Sequence, residues 1–274
     1  MKLKYFFVYA LLLAALLARP AAAQTRHSTS GLQLWPEVQA ELTLPGNDYL
    51  LLSVRGQQNT DNNHLLGAEP KRVLGFDEQR VNLAYEHFLS EHWSLGGTLG
   101  YFTASTNDYV LIPEVLLRHR SPVGPLTFGQ RLSLERTFPS ATGAKGQTNA
   151  RLRFDLEKLL PIGTGGFALR PRLSYEAATH VRLLKSDTDP DERFIQFTSL
   201  RGEVGFRVAG LFDFTPWFAY QTNYLVTLPQ FNGQGVQTSG GKLNAVTPVL
   251  GLDLRFTVTQ GQSAATRQQL PTQH

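Results

Sequence analysis

The chain has 274 residues, 26 of them lysine or arginine against 22 aspartates and glutamates, and no cysteine. Setting aside Lys2, Lys4 and Arg19 of an amino-terminal leader, 23 basic residues face 22 acidic ones, a net charge of +1. That balance gives no support to a nucleic-acid partner, and the missing cysteines exclude a disulfide framework.

The leader comes first. Lys2 and Lys4 precede an apolar run from Tyr5 to Ala18, and Ala21-Ala22-Ala23 follows as an A-x-A cleavage signal. This pattern predicts a secretory signal peptide over residues 1–23, cut between Ala23 and Gln24. No cysteine follows the run, which excludes a lipoprotein anchor. No later segment approaches the roughly 20 consecutive apolar residues of a spanning helix. Any membrane crossing must therefore be made by strands, and a mean hydropathy of -0.19 is no obstacle, because alternating strands average to near neutral.

Alternation is strong. In Leu32-Gln33-Leu34-Trp35-Pro36-Glu37-Val38-Gln39-Ala40-Glu41-Leu42 the even positions are apolar or small and the odd ones polar, Trp35 excepted. A period of two is a strand signature, since successive side chains point to opposite faces. It predicts eleven strands, near 31–43, 48–57, 75–89, 92–104, 109–120, 124–138, 148–159, 166–179, 193–208, 211–225 and 243–258. Short connections at Pro45-Gly46-Asn47, Ser90-Glu91-His92, Ser121-Pro122-Val123-Gly124, Pro161-Ile162-Gly163-Thr164-Gly165 and Ala209-Gly210 alternate with longer ones near 58–74, 105–108, 139–147, 180–192 and 226–242. Short periplasmic turns alternating with longer extracellular loops are the outer-membrane barrel pattern.

The expected fold is thus all-β, a transmembrane antiparallel up-and-down β-barrel of roughly 10–12 strands, over residues 24–258. In the last strand Leu250, Leu252, Leu254, Phe256 and Val258 share one face, resembling the signal read by barrel-insertion machinery. A polar tail, 259–274, follows it and is expected to be disordered. Two features resist the expectation. Eleven is odd, whereas bacterial barrels use even numbers, which suggests an overlooked strand within 226–242 or before Gly31, or a segment that does not pair. Pro36, Pro113, Pro171, Pro216 and Pro248 fall inside predicted strands, all on the apolar parity, where bulges or strand ends are expected.

The two parities differ in chemistry. Outward positions include Val81, Leu83, Tyr85, Leu95, Leu99, Val115, Leu132, Leu152, Leu173 and Phe218. Aromatics gather near the strand ends (Phe88, Trp93, Tyr101, Tyr109, Phe167, Phe212, Phe214), the placement of an interfacial girdle. Ordinary aromatic enrichment of strands is the alternative.

Inward positions carry Glu37, Glu41, Arg55, Glu78, Arg80 and Glu86 on the early strands. The middle strands add Glu114, Arg118, Arg120, Arg131, Glu135, Arg151, Arg153, Asp155 and Glu157. The late strands add Arg170, Arg172, Glu176, Arg201, Glu203, Arg207, Asp253 and Arg255. That is 12 Arg against 11 carboxylates and no Lys. Lys71, Lys145, Lys185 and Lys242 are placed in longer loops and Lys158 at a strand end. Arginine offers a planar fork that binds carboxylates bidentately and stays charged when buried, whereas lysine is a heavily hydrated point charge. A solvated face would use both. The bias therefore predicts a self-paired, crowded lumen, whereas a selective pore shows one dominant sign at its constriction.

Arg131-Leu-Ser-Leu-Glu135-Arg136 followed by Arg151-Leu-Arg153-Phe, with Trp35 on the first strand, resembles the exported domain-of-unknown-function 2490 (DUF2490) family over roughly Leu32 to Val258. The resemblance implies an outer-membrane barrel without an assigned activity, and it carries no functional residues across.

Candidates for chemistry are few. His27 and Ser28 adjoin but precede the first predicted strand and lack an orienting acid; His180 precedes the acidic run Asp187-Thr188-Asp189-Pro190-Asp191-Glu192. Sequence spacing across a loop does not make a nucleophile–base pair. The acidic run lacks the Gly and terminal Glu of a calcium loop, and Gly163-Thr164-Gly165-Gly166 lacks the Lys-Ser/Thr of a phosphate loop. His64, His87, His92, His119 and His274 show no metal-ligand spacing. The sequence reading is a structural barrel or a narrow, occluded conduit in the outer membrane of a Gram-negative bacterium, with no cofactor and no metal. Its partners are outer-membrane lipid, lipopolysaccharide and, during biogenesis, the insertion machinery. The alternative is a barrel enzyme acting on lipid A, phospholipid or peptide at the extracellular rim. A soluble exported sandwich is a further alternative.

Overall fold

The computed structural model describes residues 25–44, 48–61, 74–104, 108–163, 167–182, 192–208, 211–235 and 237–258. The leader, most of the acidic run 187–192, His64 and the tail 259–274 lie outside the described residues.

The described chain is all strand and connection. In order the strands are β1 (Arg26–Thr29), β2 (Gln33–Thr43), β3 (Tyr49–Asn59), β4 (Glu78–Phe88), β5 (Trp93–Ala104), β6 (Tyr109–Val123) and β7 (Leu126–Arg136). They continue with β8 (Phe138–Pro139), β9 (Thr148–Glu157), β10 (Leu160–Ile162), β11 (Phe167–His180), β12 (Phe197–Val208), β13 (Phe212–Phe231) and β14 (Gln237–Val258). Three short strands only prolong longer ones. On β6, β7 pairs Glu114 with Glu135 and β8 pairs Val110 with Pro139, which is one unbroken register. β10 prolongs β9 against β11 in the same way. β1 prolongs β2 along β14. The wall is therefore a closed barrel of 11 strands.

Neighbouring strands pair antiparallel all the way from β2 to β14, and β14 then closes onto β2 in parallel, from Val249↔Gln33 to Val258↔Leu42. An up-and-down barrel with an odd number of strands must contain one such seam, because its first and last strands run the same way. The expectation of an even count is thus corrected. The segment before Gly31 does form a strand, β1, but it lengthens the seam and adds no wall.

The parallel closure also separates the two ends of the wall. β2 starts at the rim that carries the β3–β4 and β11–β12 connections, while Val258 ends beside Leu42 at the rim of the short turns. At the first rim the wall is uneven. β13 and β14 run for 20 and 22 residues, so most of the stretch 226–242 expected as loop is a β-hairpin rising above its neighbours. Lys242 accordingly lies in β14 opposite Val226, not in a loop.

The five prolines sit where a ladder pauses. The β2–β3 pairing skips from Leu34 to Glu37, and β12–β13 skips from Glu203↔Trp217 to Phe206↔Phe214, with the register unchanged across each gap. Pro113 falls between the β7 and β8 sections of the β6 ladder, and Pro171 between the β9 and β10 sections of the β11 ladder. Only at Pro248, between the β1 and β2 sections of the seam, does the register slip by one residue. A proline has no N–H to give, so it costs least on the side where no donor is called for. At the other four the ladder resumes in the same register.

The distribution of side chains is inverted. Val38, Val54, Leu83, Leu99, Val115, Leu132, Leu173, Phe218 and Leu250 are exposed on the outer face, with Val115 at 60%. Register sets Leu52, Leu83 and Leu99 side by side, and Phe218 beside Leu250. Inside, among the described residues, buried apolar side chains form two small clusters, Tyr49–Leu51–Ala84 and Trp217–Ala219–Val249. The remainder of the buried interior is largely polar or charged.

Candidate functional site in the barrel lumen

The inward positions named from parity are buried or half-buried. Glu86, Arg118, Arg131, Glu135, Arg153, Asp155, Arg170, Arg172, Glu176, Arg201, Glu203, Asp253 and Arg255 are buried. Glu78, Arg80, Glu114, Arg151 and Arg207 are half-buried. Asp213, missed from the sequence, adds a further carboxylate 3.7 Å from Arg207. Its parity, two residues from Thr215 and four from Trp217, was the available signal.

Side-by-side pairs in the ladder repeat like charges: Arg118↔Arg131, Arg131↔Arg153, Glu114↔Glu135 and Arg55↔Arg80. Like charges directly opposite repel, so Arg118, Arg131 and Glu135 find their partners on diagonals and across skipped strands, whereas Arg172–Glu203, Arg207–Asp213 and Arg55–Glu37 meet side by side. Arg118 on β6 reaches over β5 to Glu86 on β4, with Nη1 at 2.9 Å from both carboxylate oxygens. The strand between offers only Ser94 and Gly96 there. Ser94 and Tyr49 both donate to the same carboxylate, which leaves Glu86 with four donor contacts.

A second knot joins β11, β12, β13, β14 and β2. Arg201 Nε meets Glu203 at 2.7 Å, its Nη2 meets Asp253 at 2.9 Å, and Arg172 Nη2 meets Glu203 at 2.7 Å. Trp217 on the intervening strand donates its indole N–H to Asp253 at 2.8 Å and lies under the Arg201 guanidinium at 3.9 Å. Below it Arg255 donates to Gln39 at 2.7 Å, and Gln39 donates to Glu37 at 2.6 Å. Glu37, Gln39, Glu86 and Asp253 are at most 1% exposed, so the half of the lumen nearer the short turns is closed.

The other half is not. A cavity of about 230 Å³ lies above the Trp35–Trp217 pair, whose rings meet edge to face at 5.9 Å. Its wall includes Arg55, Glu78, Arg80, Phe102, Glu114, Arg151 and Phe197. Arg131 binds Glu114, while Arg151 bridges Glu135 and Glu176 at 2.9 Å each. A second hollow of about 360 Å³, lined by Asn149, Gln196 and Tyr224, lies toward the long-connection rim. Arg151 and Phe197 border both, with the guanidinium 5.4 Å from the ring centre. Trp35, Tyr49 and Trp217 had no role assigned from sequence, although all three lie on the inward parity.

The rims hold smaller polar clusters. His180 Nδ1 lies 3.0 Å from Glu192, which also pairs with Arg182 and accepts from Gln196 at 2.7 Å. Burial disfavours the Glu192 carboxylate, but His180, Gln196 and Arg182 outweigh it and hold its pKa below the ordinary value. At the short turns Asp48 accepts from Tyr85 at 2.6 Å and lies 2.9 Å from His87. Here too burial is outweighed by bonds from Tyr85, His87 and the Phe88 amide, and the pKa is lowered. His27 lies in β1 opposite Asn244. Among the described residues no group of three or more His, Cys, Asp or Glu could hold a metal ion.

Fold and interior define the class: a closed 11-stranded β-barrel, plugged by buried ion pairs in one half and hollow in the other. No protein-family model matches the chain, and no curated protein matches it.

Proposed function

We propose that the protein is an integral outer-membrane β-barrel of a Gram-negative bacterium whose lumen is occluded, serving as a structural element or a narrow conduit and not as an open pore. The observation that carries this is the inversion of the wall: apolar side chains such as Leu83 (52%) and Val115 (60%) point out, while Glu86, Asp253 and Arg172 are buried within. Each Å² of apolar surface left in water costs roughly 25 cal/mol, so an outer face of this kind is suited to lipid. The buried arginine–carboxylate pairs leave no dominant charge for ion selection. The resemblance to the DUF2490 family and the apolar face of the last strand fit the same reading, with lipid and lipopolysaccharide outside and the insertion machinery recognising β14.

Reconstitution into planar bilayers tests occlusion. The expected result is no large, steady conductance, and a stable ion-selective current would overturn it. Heat-modifiable migration on gels and dependence on detergent test the membrane barrel separately from a soluble one.

A further inference from the structure

We propose that the luminal cavity above Trp35 and Trp217 is a binding site for a small organic oxyanion, a carboxylate or phosphate on an apolar body, admitted from the long-connection rim. The wall places six arginines (Arg55, Arg80, Arg131, Arg151, Arg153, Arg201) against four carboxylates. The carboxylates are engaged: Glu114 by Arg131, and Glu135 and Glu176 by Arg151. With its amide turned to suit its neighbours, Gln57 donates to Glu78 at 2.8 Å.

Arg80 is the cation with capacity to spare. Its Nε donates to Asn82 at 3.0 Å, and its two Nη nitrogens have no partner among the described residues. Register places it between Arg55 on β3 and Phe102 on β5, so a charged fork and an aromatic ring flank the same space. A guanidinium terminus aimed into a confined cavity is suited to a planar oxyanion, which it holds with two parallel bonds. Phe102 and Phe197 supply apolar surface for the rest of the ligand. The volume, about 230 Å³, is below the roughly 300–1,000 Å³ of sites for drug-sized molecules, which limits the occupant to something near the size of a single ring. Closure of the short-turn half makes this a blind cup and not a passage.

Calorimetric titration of the full barrel in detergent micelles tests this, with benzoate and phenyl phosphate as probes and benzylamine as the cationic control. Both anions should bind with one site per barrel and weaken as salt rises, and benzylamine should not bind. Arg80→Gln removes no ion pair and should keep heat-modifiable migration, yet bind about tenfold or more weakly, the loss expected for a charged hydrogen bond. Phe102→Trp, which fills the cavity, should abolish binding and serves as the test if Arg80→Gln fails to fold. Absence of heat with both anions, equal affinity in a folded Arg80→Gln barrel, or equal binding of benzylamine would each overturn the proposal. The inference rests on the occluded lumen proposed above, and the two fail separately. Anion binding with steady conductance sinks occlusion alone, and no binding with no conductance sinks the site alone.

Discussion

At the scale of single residues, the interior stands or falls by pairs. Arg201 touches Glu203, Asp253 and the face of Trp217 at once. Arg201→Ala leaves two buried carboxylates facing each other with fewer cations, and breaking a buried pair costs about 3–5 kcal/mol. Urea titration in micelles should show that loss, with Arg201→Lys recovering only part of it, because an ammonium cannot reproduce the fork. Asp48 at the short turns gives a pH-dependent counterpart. Its folded pKa is depressed below 3.8, so its contribution is complete above the unfolded pKa and is lost as pH falls through the folded one. Asp48→Asn should therefore lower the melting temperature at neutral pH, and the gap from the parent protein should close in strong acid. A gap that persists unchanged there would refute this account of Asp48.

At the scale of strands, packing across the lumen depends on what the intervening strand omits. A Cβ on Gly251 would overlap the Trp217 indole, and one on Gly129 would overlap the Asp155 carboxylate. Gly251→Leu should cost about 1–3 kcal/mol, as overpacking does, and should raise the exposure of Trp217, read as a red-shifted and quenchable fluorescence. An unchanged spectrum with unchanged stability would show that β14 yields instead. Element type was legible from the sequence because the period of two persists through every long strand; even Trp35, the exception in β2, obeys the parity. Partners were not legible. Side-by-side register repeats Arg131↔Arg153 and Glu114↔Glu135 but sets Arg172 against Glu203, and whether a guanidinium such as that of Arg118 reaches over a neighbouring strand depends on gaps such as Gly96 that alternation does not reveal. The cavity was equally hidden, since it is a difference in packing between two halves of one charged face. The prolines were expected at bulges or strand ends; a ladder can also omit a bond without shifting its register, as it does beside Pro36 and Pro216.

At the scale of the whole molecule, the odd strand count was visible in the sequence and looked like an error there. The resolution is the parallel seam between β14 and β2, a pairing slightly weaker per residue than its antiparallel neighbours. In the proposed membrane setting, an odd number of crossings places the two chain ends on opposite sides. Epitope tags inserted before Arg26 and after Val258 should therefore differ on intact cells, with one bound by antibody and the other only after permeabilisation. Two accessible tags, or two protected ones, would contradict the seam.

The same seam limits how this protein can be rearranged. Domains whose ends lie close together tolerate circular permutation, because a short linker can join the old termini. Here the seam alone pairs ten residues of β2, about 33 Å of strand, and the old ends lie beyond its two extremities. A linker joining them would have to run the full height of the wall, through a plugged lumen or, in the proposed membrane setting, through lipid. A permuted gene could succeed only by adding or losing a crossing, so the order in which these strands are written is bound to the order in which they stand.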